Sequence, residues 1–209
     1  MLLLLKVLRY LKKEKLSPKH RLLPKNRKPK IKMKERKRKL RKWIAQEKTR
    51  YCDSTLKDLS ADILANLEKH PAFEAATTLL LYHSLKDEVQ THSFIEKWSK
   101  KKTIILPVVV GEELELRLYT GPQDLAIGAY GIAEPTGKVF TDYKAIDLAV
   151  IPGMAFDKDG HRLGRGKGYY DKLLPYIPAV KIGICFPFQL IEEVPAEPFD
   201  ICMNTIITK

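Results

Sequence analysis

The stretch Arg162-Leu163-Gly164-Arg165-Gly166-Lys167-Gly168-Tyr169-Tyr170-Asp171 carries the densest chemistry in this 209-residue chain. Glycine at every second position removes the Cβ atoms that hold a backbone away from a polyanion, and Arg165 and Lys167 stand between the glycines as cations. These residues predict a phosphate cradle. Tyr169 to Leu174 reads as the first turns of a helix, whose dipole would point at the anion. A single carboxylate beside bound phosphate, here Asp171, suits magnesium, which keeps most of its waters. The run is not a Walker A loop, because glycine follows Lys167 and the four-residue spacer between glycines is missing. Nor is it a dinucleotide fingerprint, since the spacing is G-x-G-x-G after a polar turn. Taken alone, the loop is equally compatible with a mobile surface loop capped by a helix.

The elements around it narrow the choice. Asp147 to Phe156 is an apolar run of strand length, interrupted by Pro152-Gly153 and followed by the turn Asp157-Lys158-Asp159-Gly160. A buried strand leading through a glycine-rich loop into a helix is how open α/β sheets build ligand sites at their carboxyl edge. Helical periodicity predicts helices over 33–51 and 55–69, with Leu40, Trp43 and Ile44 on the first and Leu56, Leu59, Ile63 and Leu67 striping the second. Strands are predicted at 77–82, 103–110, 115–119, 147–152, 180–185 and 205–208, with helices at 91–100 and 169–174. This alternation implies an α/β fold with a mainly parallel sheet flanked by helices.

From Pro152 to Asp171 the chain matches P-G-x-x-F-D-x-x-G-x-R-L-G-x-G-x-G-Y-Y-D without a gap, and on this run it resembles the 5-formyltetrahydrofolate cyclo-ligase family, also called methenyltetrahydrofolate synthetases. Further segments fit in family order: Lys37-Arg38-Lys39-Leu40-Arg41, the turn Asp87-Glu88-Val89-Gln90-Thr91, Leu106-Pro107, Gly131 to Pro135, Gln189, Val194-Pro195, Asp200 and Ile206-Ile207-Thr208. Phe199 before Asp200 departs from the His-Asp of bacterial relatives. The resemblance covers residues 35 to 209 and implies one α/β domain, residues 33–209, of NagB/RpiA/CoA-transferase-like architecture.

It also implies a reaction. A formyl group on a ring nitrogen is a poor electrophile until its oxygen becomes a leaving group, which transfer of the γ-phosphoryl group of ATP accomplishes. The second nitrogen then closes the ring to 5,10-methenyltetrahydrofolate, releasing ADP and phosphate. Positioning and charge neutralisation dominate such catalysis. The expected cofactors are ATP and Mg²⁺. The resemblance assigns the nucleotide to Lys37, Arg41 and the run Arg162, Leu163, Gly164, Arg165, Gly166, Lys167, Gly168, Tyr169 and Tyr170, with Lys167, Arg165 and Tyr169 closest to the reacting groups. It assigns the folate to His83, Glu88, Arg165 and Tyr169, and the metal to Asp171 and Asp200. Glu88 would accept from the pterin amino group and ring N–H, a planar donor pair suited to a carboxylate. Read without the family, Lys37 and Arg41 are equally a solvated basic face, Glu88 a turn residue and Tyr169 a core aromatic. Glu134 and Gln189 receive no role.

Composition bounds the alternatives. Residues 1–42 hold 19 Lys plus Arg against 2 acids, a net +17, while the remainder carries −4. The basic character thus belongs to the N-terminal tail. Leu2 to Leu5 is too short for a signal-peptide core, and no stretch approaches a membrane span. Pro18, Pro24 and Pro29, with almost no aromatic interleaving, favour a disordered basic extension over residues 1–32, and a nucleic-acid or membrane-surface protein driven by this tail stays open as an alternative. Three scattered cysteines, Cys52, Cys185 and Cys202, suggest neither a disulfide framework nor a zinc site, and read as small buried apolar residues of a cytoplasmic protein. The sequence leaves the oligomeric state open, with a monomer favoured. The competing reading is a non-catalytic phosphate- or phosphosugar-binding module, which would keep the loop without needing Asp171 and Asp200.

Overall fold

In a computed structural model of the chain, residues 29–128 and 132–209 are described. Most of the expected N-terminal extension, residues 1–28, and Gly131 of the Gly131–Pro135 match lie outside them. Helices are α1 (Pro29–Lys48), α2 (Asp53–Glu68), α3 (Pro71–Ala75), α4 (His92–Trp98) and α5 (Tyr169–Leu173). Strands are β1 (Thr78–Leu80), β2 (Thr103–Val110), β3 (Glu113–Tyr119), β4 (Leu125–Ile127), β5 (Ala133–Pro135) and β6 (Leu148–Ile151). They continue with β7 (Ala155–Phe156), β8 (Arg162–Leu163), β9 (Val180–Ile184) and β10 (Thr205–Ile207). Helix α1 starts four residues before Met33, with Pro29 at the first helical position, where a missing N–H costs nothing.

The central sheet runs β10-β9-β6-β1-β2-β3, parallel except for the edge strand β3, which returns antiparallel along β2. Its apolar residues alternate with period two between two cores. Leu79, Ile104, Leu106, Leu148, Val150, Ile182 and Ile184 face the side covered by α2 and α4. Leu80, Ile105, Ala149 and Ile151 face the opposite side, where Leu173 of α5 and Leu174 pack. A third cluster joins Ile44 of α1 to Ala155 and Leu163 of the small β7–β8 ladder, so α1 lies over the segment that leads into the glycine loop.

Two details differ from expectation. The strand expected at 147–152 is β6, but beyond its end at Ile151 the chain forms a ladder that was not expected, in which Ala155–Phe156 pairs back with Arg162–Leu163. Of the three cysteines, Cys185 alone is buried; Cys52 at the start of α2 and Cys202 are exposed. Among the described residues no helix is long and apolar enough to cross a membrane.

Candidate active site

Adjacent parallel strands bring the two expected halves of the site together. Strands β1 and β6 pair in register, Leu79 with Leu148 and Leu80 with Ala149, so the chain leaves both at the same sheet edge. The segment after β1 turns at Leu85 to Glu88, where Glu88 N donates to Leu85 O. The segment after β6 makes the β7–β8 ladder and enters the glycine loop. Asp157 ties that ladder: its two carboxylate oxygens accept from the backbone N–H groups of Asp159, His161 and Val194 and from His161 Nδ1. Gln189 locks the Pro152-Gly153 corner by donating to the carbonyls of Gly153 and Met154 while accepting from Phe186 N. Gln189, unassigned in the sequence, is thus a clamp on the loop's approach.

The loop has the geometry of a cradle. Gly166 and Gly168 have φ of 103° and 71°, values that favour glycine, and Arg165 to Gly168 are exposed. Lys167 is exposed and makes no ion pair among the described residues. The expected dipole contribution is small, because α5 spans five residues, little more than one turn. The Leu163 side chain does not face the cradle, whereas the Arg162 guanidinium lies against Gly164. Leu163 is buried in the cluster with Ile44, leaving its backbone alone to meet a ligand. Arg162, its side chain 5% exposed, pairs with Asp171 Oδ1 at 2.9 Å and lies over the Tyr170 ring.

Helix α1 contributes cations from one face. Arg41 Nε donates to Gly164 O at 2.8 Å, and its guanidinium lies against Gly166; burial lowers its pKa, partly offset by Asp200. Lys37 Nζ sits between Asp200 Oδ2 at 2.6 Å and Glu197 Oε2 at 3.1 Å, while Glu197 N also donates to Asp200. Phe199, the departure from the family pattern, is 61% exposed with its ring 5.8 Å from Lys37 Nζ. Lys37 and Arg41 are therefore not a solvated basic face.

At the other end, Glu88 Oε1 accepts from Arg165 Nε and Nη2 at 3.1 and 2.9 Å, and Oε2 accepts from Leu85 N at 3.0 Å. Arg165 also reaches Asp87 Oδ1 at 2.6 Å. Its pKa is raised: burial would lower it, and Glu88 and Asp87 overcome that. Asp87 is held below its ordinary value despite burial, by Lys48 and Arg165. Tyr170 is driven above its ordinary value by burial and then by the Glu88 charge. His83 stacks on His92 with centroids 3.9 Å apart, and burial followed by the His92 neighbour lowers its pKa to about 4. Tyr169 is half-buried at the start of α5.

Two participants escape a motif reading, Lys48 and Glu197, while Asp87 lay within the matched turn but received no role. Lys48 had a signal, since Lys37, Arg41, Ile44 and Lys48 follow the i, i+4, i+7, i+11 stripe of one helix face. Asp171 and Asp200 offer hard oxygens of the kind magnesium takes and are paired in this structure with Arg162 and Lys37, while Gly166 and Gly168 give the loop a backbone that phosphate can approach closely.

The chain matches known proteins along most of its length. It is 28% identical over 193 residues to the probable 5-formyltetrahydrofolate cyclo-ligase of Schizosaccharomyces pombe, covering 83% of this chain and 95% of that protein. It is 27% identical over 175 residues to the 5-formyltetrahydrofolate cyclo-ligase of Escherichia coli, covering 79% and 96%. The NMR structure of Aquifex aeolicus 5,10-methenyltetrahydrofolate synthetase superimposes with a TM-score of 0.74 at 35% identity, over 82% of this chain and 89% of that one. The synthetase from Mycoplasma pneumoniae gives 0.67 at 28%, over 82% and 98%. With residues 33–209 also matching the family's sequence profile, the chain belongs to the 5-formyltetrahydrofolate cyclo-ligase family.

Proposed function

We propose that this protein converts 5-formyltetrahydrofolate to 5,10-methenyltetrahydrofolate with ATP and magnesium. The observation that carries the reading is the meeting of the Glu88 turn and the glycine loop at the ends of two adjacent parallel strands, within one hydrogen bond of each other through Arg165. A cyclo-ligase needs a pterin-binding carboxylate and a phosphate-binding loop side by side, because the reacting formyl oxygen lies between the two ligands. ATP supplies the phosphoryl group that turns that oxygen into a leaving group, and magnesium offsets charge on the phosphates.

The protein's share is placement and neutralisation. Gly164, Gly166 and Gly168 let the backbone approach the phosphates, while Lys167 meets charge that develops during transfer. Arg41 and Lys37 add cations from α1, and Asp171 with Asp200 would hold the metal. Glu88 orients the pterin, with Tyr169 and the His83–His92 stack as pocket walls. The activity is assigned to residues 33–209, so a chain beginning at Met33 keeps full turnover; a dead truncated enzyme would place the preceding residues in the machinery. The direct test is ATP-dependent appearance of the methenyl chromophore from 5-formyltetrahydrofolate with stoichiometric ADP. No chromophore from a folded protein supplied with MgATP would overturn the assignment.

A further inference from the structure

Four charged side chains form one line between α1, the turn after β1 and the glycine loop. Lys48 Nζ pairs with Asp87 Oδ2 at 3.0 Å and also donates to the Asp87 carbonyl. Asp87 Oδ1 accepts from Arg165 Nη2, and Arg165 in turn covers Glu88 Oε1 through both Nε and Nη2. Leu85 N occupies the other Glu88 oxygen. In this arrangement both oxygens of the pterin-binding carboxylate already have donors. A planar N–H and NH₂ pair cannot take the carboxylate edge while Arg165 lies on it.

Arg165 is also the member best placed to leave. It lies between Gly164 and Gly166 on an exposed loop, and the half-turn positions Gly166 and Gly168 give that backbone conformations other residues resist. Its departure strands no charge. Asp87 keeps Lys48, Glu88 takes the pterin donors, and Arg165 takes a phosphate oxygen. Such an exchange avoids the large penalty of an unpaired charge in a partly buried site. Lys48 is what permits it, because without that ammonium Asp87 would be left without a counter-ion when Arg165 swings away.

We propose that Arg165 is shared between the two ends of the site: Asp87, backed by Lys48, positions it against Glu88, and a nucleoside triphosphate draws it off, so that nucleotide and folate bind with positive coupling. Asp87 and Lys48 are positioning residues in this scheme, acting through Arg165. The inference rests on the proposed function, which places ATP at the loop and the pterin at Glu88.

Calorimetric titration of the full chain with 5-formyltetrahydrofolate, with and without magnesium and a non-hydrolysable ATP analogue, tests it. In the unmodified protein the analogue tightens folate binding by about tenfold, and linkage requires folate to tighten the analogue by the same factor. Arg165→Gln brings the factor to one. Asp87→Asn leaves Glu88 and the loop in place, so folate alone binds more tightly than to the unmodified protein and the coupling shrinks. A factor of one or less in the unmodified protein overturns the proposal, as does an undiminished factor in Arg165→Gln. Should Arg165→Gln not fold, Asp87→Asn decides, and an unchanged factor there overturns it equally. Both ligands binding independently defeats the coupling alone, whereas failure to bind either defeats the functional reading as well.

Discussion

Replacing Lys37 by methionine isolates what its charge does, because methionine keeps most of the alkyl stem that lies near the Phe199 ring. The Lys37 side chain is 11% exposed and its partners Glu197 and Asp200 are 16% and 11% exposed, so this is a largely buried triad. Removing one partner from such a group costs about 3 to 5 kcal/mol, since the remaining charges lose their compensation. Asp200 keeps the Glu197 backbone N–H and the nearby Arg41 charge, which favours the lower figure, about 3 kcal/mol. For a domain of this size each kcal/mol moves Tm by roughly 2 to 4 °C, so a fall of about 6 to 12 °C is expected. The assay is thermal and urea denaturation of Lys37→Met at pH 7, alongside Asp200→Asn and the double variant. Neutralising Asp200 in the Lys37→Met background removes half of the uncompensated charge, so the double variant should be at least about 1 kcal/mol more stable than additivity gives. A Tm change under about 2 °C, or strict additivity, would refute the view that Lys37 is the counter-ion of the Glu197 and Asp200 carboxylates.

Lys167 is exposed, so Lys167→Ala should leave Tm unchanged and lower turnover by roughly 10²- to 10³-fold; near-normal turnover removes it from phosphoryl transfer. Asp171→Asn should raise the magnesium concentration for half-maximal rate without altering folate affinity, and Glu88→Gln should do the reverse; overlapping phenotypes would undo the division into phosphate and pterin ends. The His83 pKa, about 4 in the fold and about 6.5 when unfolded, means the unfolded chain binds the extra proton between those values. Stability from this group is therefore full above about pH 6.5 and declines toward pH 4, by at most about 3 kcal/mol and roughly half that for a half-buried ring. Urea midpoints across that range should fall less steeply in His83→Leu, and an identical slope would exclude His83 as the source.

The strands were the legible part. Ile104 to Leu106 and Ile182 to Ile184 are apolar toward both faces, and those patterns survive folding because burial on two sides of the sheet demands them, while Val109, Val110 and Val180 at the strand ends are exposed. The short ladder of Ala155–Phe156 with Arg162–Leu163 was not legible, since two residues set no period and the pairing is fixed from outside by Asp157 and Gln189. The exposure of Cys52 and Cys202 was equally hidden, because a cysteine's preference for burial says nothing about which turn it occupies. At the site, residue types were readable and pairings were not. Glu88 and Arg165 stand 77 positions apart, and nothing local to either says that they meet.

The pairings follow a physical rule even so. Residues suited to phosphate are cations and residues suited to magnesium or a pterin are carboxylates, and a partly buried cleft tolerates neither set uncompensated. Within the protein each set neutralises the other: Lys37 lies on Asp200, Arg162 on Asp171, and Arg165 on Asp87 and Glu88. Under the proposed function, a magnesium–triphosphate pair, itself a cation bound to an anion, would enter such a site by exchange of partners, with Asp171 and Asp200 holding the metal and the freed cations the phosphates. The number of opposite-charge contacts does not fall in that exchange. Removing one cation alone does lower it, which is why Lys37→Met is expected to cost stability at a residue chosen for its chemistry. The same rule separates Lys167 from its neighbours: exposed on the loop and outside any carboxylate pair among the described residues, it can meet phosphate without first giving up a partner.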